Sequence, residues 1–458
     1  MINKINRRDV LKLLGLGGAG LFVINGENTK ADTRLSIPAS HKNAQIVIVG
    51  GGAGGMAATA RVRRAAPNAK ITLVESNITH LYEAGQIFVA AGLYKRDDIK
   101  RSTASLLPDN VVWLQEKVVE LDPQNSSVTL QDSGKIGYDF LIVALDAEYD
   151  YHRIDGLTTD MIGKNGIASV YLNNTSKGIE LGGESTQHWF NQMYQTASRG
   201  PIKILCTEPD TLIKERGTSL DVLFLGNDIL RGNGPDSRSD ITHNTHFTFL
   251  SPDQTLITAK SYDNALRKII AKADNIDTHH GQTLIAIDSS NKLATFSAAG
   301  EMTKQQLPYD FIHITPPMQA PDVLRNSPLA VNSGKNAGWM DIDEKTLLHP
   351  KFHNVIGIGN TLATKAGRTT GSMREQAIVI QDNIAALLEG QKPTSAYDGY
   401  TASRIKTRFG RELLAEFNNE GAASSYGLNP YKPRWIWWAT DLYTMPWIYF
   451  NLMMRGMY

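Results

Sequence analysis

The chain holds a single cysteine, Cys206, among 458 residues, so no intramolecular disulfide and no dithiol redox pair can be built from it. Cys206 ends the apolar run Ile202 to Leu205 and reads as a small hydrophobe in a buried strand. No cysteine–histidine cluster has metal-ligand spacing, and the pair His279-His280 reads as a solvated loop. Excess charge is also lacking: 47 basic residues against 46 acidic give a formal charge of +1, with no basic cluster. That balance sets a nucleic-acid role aside. Nor is there a convincing membrane span, since the aromatic stretch 434–458 is interrupted by Asp441 and Pro446.

What is present suits a protein of two or more domains, because the length exceeds what one hydrophobic core serves and 41% of residues are apolar. Residues 1–31 read as a targeting segment: Arg7-Arg8 precede the apolar, glycine-rich run Leu13 to Ile24 and a polar stretch ending Thr29-Lys30-Ala31. This is the pattern of a twin-arginine export signal, and it predicts a mature protein in the periplasm.

The stretch AQIVIVGGGAGGMAATARVRR, residues 44–64, sets a β-branched strand, a glycine turn and a helix in the required order. Gly50, Gly52 and Gly55 allow a pyrophosphate to approach the backbone, where the positive end of the helix meets its charge. A second strand, KITLVES, carries Glu75 twenty residues past Gly55, where an acid meets ribose hydroxyls and disfavours a 2′-phosphate. FAD or NAD is thereby favoured over NADP. Farther on, HNVIGIGNTLA at 353–363 is another apolar strand, running into Gly357-x-Gly359-Asn360. FAD enzymes with two dinucleotide domains bring such a late strand back to the ribityl and pyrophosphate part of FAD. Asn360 stands where they usually have aspartate, and keeps hydrogen bonding without charge. A second nucleotide unit has its strand at 202–206, yet Thr207-Glu208-Pro209 follows in place of glycines, leaving a nicotinamide cofactor no evident seat. The predicted fold is α/β with two Rossmann-like domains: an FAD domain from 40–157 and 330–392, a second domain at 158–329, and a C-terminal region at 393–458.

Taken together, several stretches resemble the sulfide:quinone oxidoreductase family and its relative, the flavoprotein subunit of flavocytochrome c sulfide dehydrogenase. They are the glycine turn with Glu75; HLYEAGQIFVAAGL at 80–93, similar to a segment near the flavin and containing Tyr82; YDFLIVALDAEYDYHRIDGL at 138–157; HITPPMQAPDVL at 313–324; GWMDIDEKTLLHPKFHNVIGIGN at 338–360; and PWIYFNLMMRG at 446–456. The resemblance implies bound FAD, an electron donor at one face of the flavin, and quinone or a c-type cytochrome as acceptor. In the family two cysteines flank the flavin and carry sulfur. Here the matching positions are Glu215, in Lys214-Glu215-Arg216-Gly217, and Ser403, in Tyr400-Thr401-Ala402-Ser403-Arg404. Neither side chain can cycle through a persulfide. Arg368 replaces a family lysine near the flavin, while Gln376 matches the family's glutamine. Glu215, Arg216, Arg368, Ser403 and Arg404 then predict a more polar pocket, suited to a small polar or anionic donor.

The tail RWIWWATDLYTMPWIYFNLMMRGMY reads as an aromatic segment lying in the headgroup region of a membrane, or as a pair of helices packed on the core. Three functions stay open: an FAD oxidoreductase of the sulfide:quinone type, a diverged member with another donor, and a non-catalytic electron-transfer or assembly flavoprotein.

Overall fold

The computed structural model describes residues 43–173, 181–236, 238–298, 304–423 and 427–458. The twin-arginine segment lies outside them. Two parallel sheets organise the chain. The first takes β1 (Gln45–Val49), β2 (Lys70–Val74), β3 (Val111–Leu114) and β4 (Phe140–Val143) from the early chain. The second is formed by β5 (Ile167–Ala168), β6 (Ile202–Thr207), β7 (Thr245–Ser251), β8 (Ile276–His280) and β9 (Phe311–Ile314), in the order β5-β9-β6-β7-β8. β10 (Val355–Gly357) then returns to the first sheet and completes the order β10-β4-β1-β2-β3. His279 and His280 end strand β8 and so are not in a loop, and Cys206 is fully buried in β6.

The strands are apolar runs, as parallel strands buried on both faces are, and Ile46, Ile48, Leu141, Ile142 and Val143 are wholly buried. Register aligns Val49 with Val74 and Val143, and Val143 with Gly357. The carboxyl ends of four strands therefore meet at one edge, the edge at which open parallel sheets bind ligands.

Helix α1 (Ala53–Ala65) follows β1, α2 (Gly182–Ala197) precedes β6, α3 (Thr218–Leu230) follows β6, and α4 (Thr370–Leu388) follows β10. Small residues Gly54, Ala57, Ala58 and Ala60 make α1 thin enough to be buried along most of its length, where it packs on α4. A hairpin of β11 (Thr401–Arg408) and β12 (Arg411–Asn418) packs on α3, and buries that helix almost all round. The chain then runs through α5 (Trp435–Ala439), a π-helical turn at Thr440–Thr444 and α6 (Met445–Asn451). Pro446 lies in the first turn of α6, where its missing N–H would have no helical partner anyway. Among the described residues no helix is long and apolar enough to cross a membrane. Trp437, Trp438, Tyr449, Phe450 and Met454 of the tail are buried, while Trp435 and Trp447 are exposed.

Candidate functional site

The turn between β1 and α1 is shaped by what its glycines leave out. A Cβ at Gly55 would stand 1.8 Å from the carbonyl oxygen of Gly50, and one at Gly50 would stand 2.4 Å from that of Ala144. A Cβ at Gly52, the N-cap of α1, would meet nothing within 4 Å. Gly50 and Gly55 thus close the turn on itself. Gly52 keeps open the space in front of the helix's unpaired N–H groups, where a pyrophosphate fits. Glu75 lies beside it: Oε2 accepts the Gly51 N–H at 2.6 Å and Oε1 the Asn77 N–H at 2.6 Å. At the end of β10, Asn360 donates through Nδ2 to Asp146 at 2.7 Å, while its buried Oδ1 has no partner in the chain. Open space at a helix N-terminus, an acid after the second strand and an orphan acceptor after the late strand fit the dinucleotide part of FAD.

Gln376 holds the loop that follows. Its Oε1 accepts the Gly359 N–H at 2.9 Å and its Nε2 donates to the Gly367 carbonyl at 2.9 Å, so both ends of the amide are committed to backbone. Arg368, expected in the pocket, is instead turned into the protein. Its guanidinium donates to the carbonyls of Asn360, Leu362 and Thr364 and lies over the Trp339 ring. Burial pulls its pKa below the ordinary arginine range, and the ring of carbonyls keeps the charge in place. The loop after β10 supplies more inward carbonyls than N–H donors can satisfy, and Arg368 is their filler.

Between the two sheets, the hairpin and the tail lies a cavity of about 1260 Å³, lined by Tyr82, Glu215 and Ser403 among others. The structure therefore brings Glu215 and Ser403 to one cavity. Glu215 carries a positive φ of 49°, a strained value for a non-glycine residue. Its Oε1 accepts both the N–H and the hydroxyl of Thr370, at 2.6 and 2.8 Å, so the carboxylate caps the N-terminus of α4. Burial raises its pKa, and the Thr370 hydrogen bonds oppose that rise. Tyr82 packs on Tyr449 of α6, with ring centroids 4.6 Å apart.

Sequence reasoning missed a cluster at the cavity wall. Lys214, only 2% exposed, places its ammonium 2.6 Å from Glu83 and 2.6 Å from Asp146, over the Tyr149 ring. Burial opposes the charge, but the Asp146 and Glu83 carboxylates raise the pKa well above the ordinary lysine value. Its signal was available as acids inside the otherwise apolar segments HLYEAG and ALDAEY. Four other basic groups of the wall are paired: Arg216 with Asp253, Arg374 with Glu375, Arg404 with Glu412, Lys406 with Asp441. Arg61, also on the wall, donates to the Gln381 side chain.

His80 ties the tail to the glycine turn. Its Nδ1 lies 3.0 Å from the Gly51 carbonyl and its Nε2 2.6 Å from the Tyr449 hydroxyl. Burial lowers the imidazole to about 4, so it is neutral. A carbonyl only accepts, so Nδ1 carries the proton and Nε2 accepts from Tyr449.

In the second unit the turn after β6 is filled from within. Glu208, 2% exposed, accepts from the hydroxyls of Ser219 in α3 and of Ser251, at 2.7 and 3.2 Å. Among the described residues no group of three or more His, Cys, Asp or Glu is placed to hold a metal ion.

Comparison with known proteins agrees with this geometry. Residues 44–178 match the family described as pyridine nucleotide-disulphide oxidoreductase. The mitochondrial sulfide:quinone oxidoreductase of Mus musculus is 29% identical over 90% of this chain and 86% of its own length. Two solved structures share the fold. One is a chain in the Tetrahymena thermophila mitochondrial ATP synthase, with TM-score 0.74 and 16% identity, covering 92% of this chain and 97% of that one. The other is the sulfide:quinone oxidoreductase of Aquifex aeolicus, with TM-score 0.62 and 20% identity, covering 81% of this chain and 83% of that one. By sequence along most of its length and by fold, the chain is a relative of the sulfide:quinone oxidoreductases and an FAD-dependent oxidoreductase.

Proposed function

We propose that the protein takes two electrons from a small donor and delivers them, through FAD, to quinone. The observation that carries this reading is the large cavity whose wall holds Glu215, Ser403 and Tyr82 together with apolar side chains of α4 and the tail. FAD supplies the two-electron chemistry when bound. The chain's own residues do the rest. Gly50, Gly52, Gly55 and Glu75 hold the dinucleotide, Asn360 offers its free Oδ1, and Gln376 fixes the loop beneath it. Glu215 docks the 214–218 turn on α4, and Ser403 presents a hydroxyl to the cavity. Because Lys214 and the cations around Glu215 and Ser403 are paired with acids, we assign a neutral small donor, with hydrogen sulfide the first to try. Export at Arg7-Arg8 would place this reaction in the periplasm, and exposed Trp435 and Trp447 would rest the tail on the membrane that holds the quinone.

The test is anaerobic reduction of the FAD-loaded protein by sulfide, followed in the flavin absorption band, and then addition of a soluble quinone. Bleaching and recovery are expected. No bleaching by sulfide, with bleaching by dithionite, would overturn the sulfide assignment. A second reading, an assembly or electron-transfer subunit with a c-type cytochrome as partner, is favoured by the loss of both sulfur-carrying positions and by the resident of an ATP synthase that shares this fold. In that case a cytochrome, and no small donor, would reduce the flavin.

A further inference from the structure

The hairpin and the tail enclose a second set of charges that the reading above does not use. Arg404 and Lys406 of β11, Glu412 of β12, Asp221 of α3 and Asp441 of the π-helical turn are all buried or nearly so. Lys406 Nζ lies 2.8 Å from Asp441 and 3.7 Å from Asp221, and its backbone N–H donates to Asp221 at 2.6 Å. Arg404 Nη1 lies 3.0 Å from Glu412 Oε1, and its Nε 4.0 Å from Asp441. Two cations face three carboxylates. Around the cluster, Glu416 of β12 adds negative potential, Arg374 is committed to Glu375, Arg434 pairs with Glu412 through the backbone only, with its buried Nε unbonded, and Tyr82 and Phe88 present rings.

A largely buried cluster with one carboxylate in excess is more stable with a proton on it than with an unpaired charge. Asp441 has two cations near it, and Asp221, although burial raises it to about 7, has Lys406 and a backbone N–H; Glu412 has Arg404 on Oε1 only, and its Oε2 is buried with no donor to it. Burial and the neighbouring Asp441 also raise the Glu412 pKa, while that of Asp441 is lowered by Lys406 and Arg404 against its burial. Asp441, Arg404 and Lys406 line the cavity. Asp441 lies in the π-helical turn, of a kind that recurs at functional sites.

We propose that Glu412 stores a proton and that Asp441 passes it to the oxygen of the acceptor in the cavity. The step rests on the reading of a quinone acceptor. Reduction of a quinone to a quinol needs two electrons and two protons: both electrons and one proton come from bound reduced FAD, the other proton passes from Glu412 through Asp441 to the carbonyl oxygen as its C=O π bond breaks, and a proton from solvent then restores Glu412. Asp441 touches the acceptor and is catalytic, and Glu412 acts through it.

Infrared difference spectra of the full chain, titrated from acid through neutral pH, test the store without any turnover. A neutral carboxylic-acid C=O band that persists at neutral pH, shifts in D₂O and vanishes in Glu412→Gln is expected. Its absence, or its survival in Glu412→Gln, would overturn the proposal even if quinone is reduced. For the relay, Glu412→Gln and Asp441→Asn should slow flavin reoxidation by quinone about a hundredfold. Flavin reduction by the donor should be unchanged and the solvent isotope effect on reoxidation lost. Unchanged reoxidation in a folded variant would reject the relay. If wild-type protein reduces no quinone at all, the acceptor reading falls, and the infrared band still decides whether the proton is stored.

Discussion

Two strand–turn–helix units in this chain meet the same electrostatic demand in opposite ways. After β1 the turn is all glycine, and the first N–H groups of α1 face open space beside Gly52. After β6 the turn carries Glu208, whose buried carboxylate is bonded to Ser219 in the first turn of α3. A helix N-terminus attracts an anion. In the first unit a ligand must bring it, and in the second the chain has brought its own. The same fold is thus open to a ligand in one place and filled in the other: Gly50 to Gly52 join β1 to α1, while the longer segment from Glu208 to Gly217 joins β6 to α3 and buries a carboxyl group there.

Substitutions can break that contrast, and the largest effect is expected at Gly55. Gly55→Ala drives a Cβ to within 1.8 Å of a backbone oxygen, so it should lower stability by roughly 3 kcal/mol and abolish flavin binding. Denaturant unfolding and flavin absorbance would check both. Glu208→Ala comes next, leaving the Ser219 and Ser251 hydroxyls without their acceptor at a cost of about 1–3 kcal/mol, while Arg216 keeps Asp253. Flavin content should not change, because the first turn is untouched. Gly52→Val sharpens the comparison in the other sense: unfolding should move by less than about 1 kcal/mol, since its side chain meets only open space, while flavin affinity falls about tenfold or more. A variant that unfolds early but still retains flavin would reverse this assignment of roles.

The smallest effect concerns pH. Burial holds His80 at about 4 in the folded protein against an ordinary value of 6.5, and His313 at about 3. The unfolded chain therefore binds protons that the native chain refuses, and stability is lost as pH falls from 6.5 toward 4. Asp221, raised to about 7 by burial, works the other way: it stabilises below the ordinary carboxylate range and loses that contribution as pH rises toward 7. His80→Gln should flatten the acid limb of Tm against pH and leave the Asp221 trend in place.

The first turn was legible in the sequence because its parts are local: a strand, three glycines and an acid at a fixed distance. Glu208 was visible as a missing glycine, though not as a substitute anion, since its partners Ser219 and Ser251 come from α3 and β7. Arg368 was misplaced because residue type predicts a charge near a cofactor, whereas the carbonyls it satisfies are set by the path of a loop. Lys214, Glu412 and Asp441 look like solvated charges in a linear reading, and only the packing of the hairpin against α3 and the tail makes them buried. Sequence patterns of short range were reliable here, and charges paired across hundreds of residues were not.

The hydrogen bond from Tyr449 to His80 joins residues 369 positions apart, and His80 in turn holds the Gly51 carbonyl. A ribosome making this chain therefore releases the glycine turn long before the group that braces it exists. Strand β10, which completes the first sheet, is also late. A chain truncated before Tyr449 would be made with His80, the brace of its nucleotide turn, lacking its own partner.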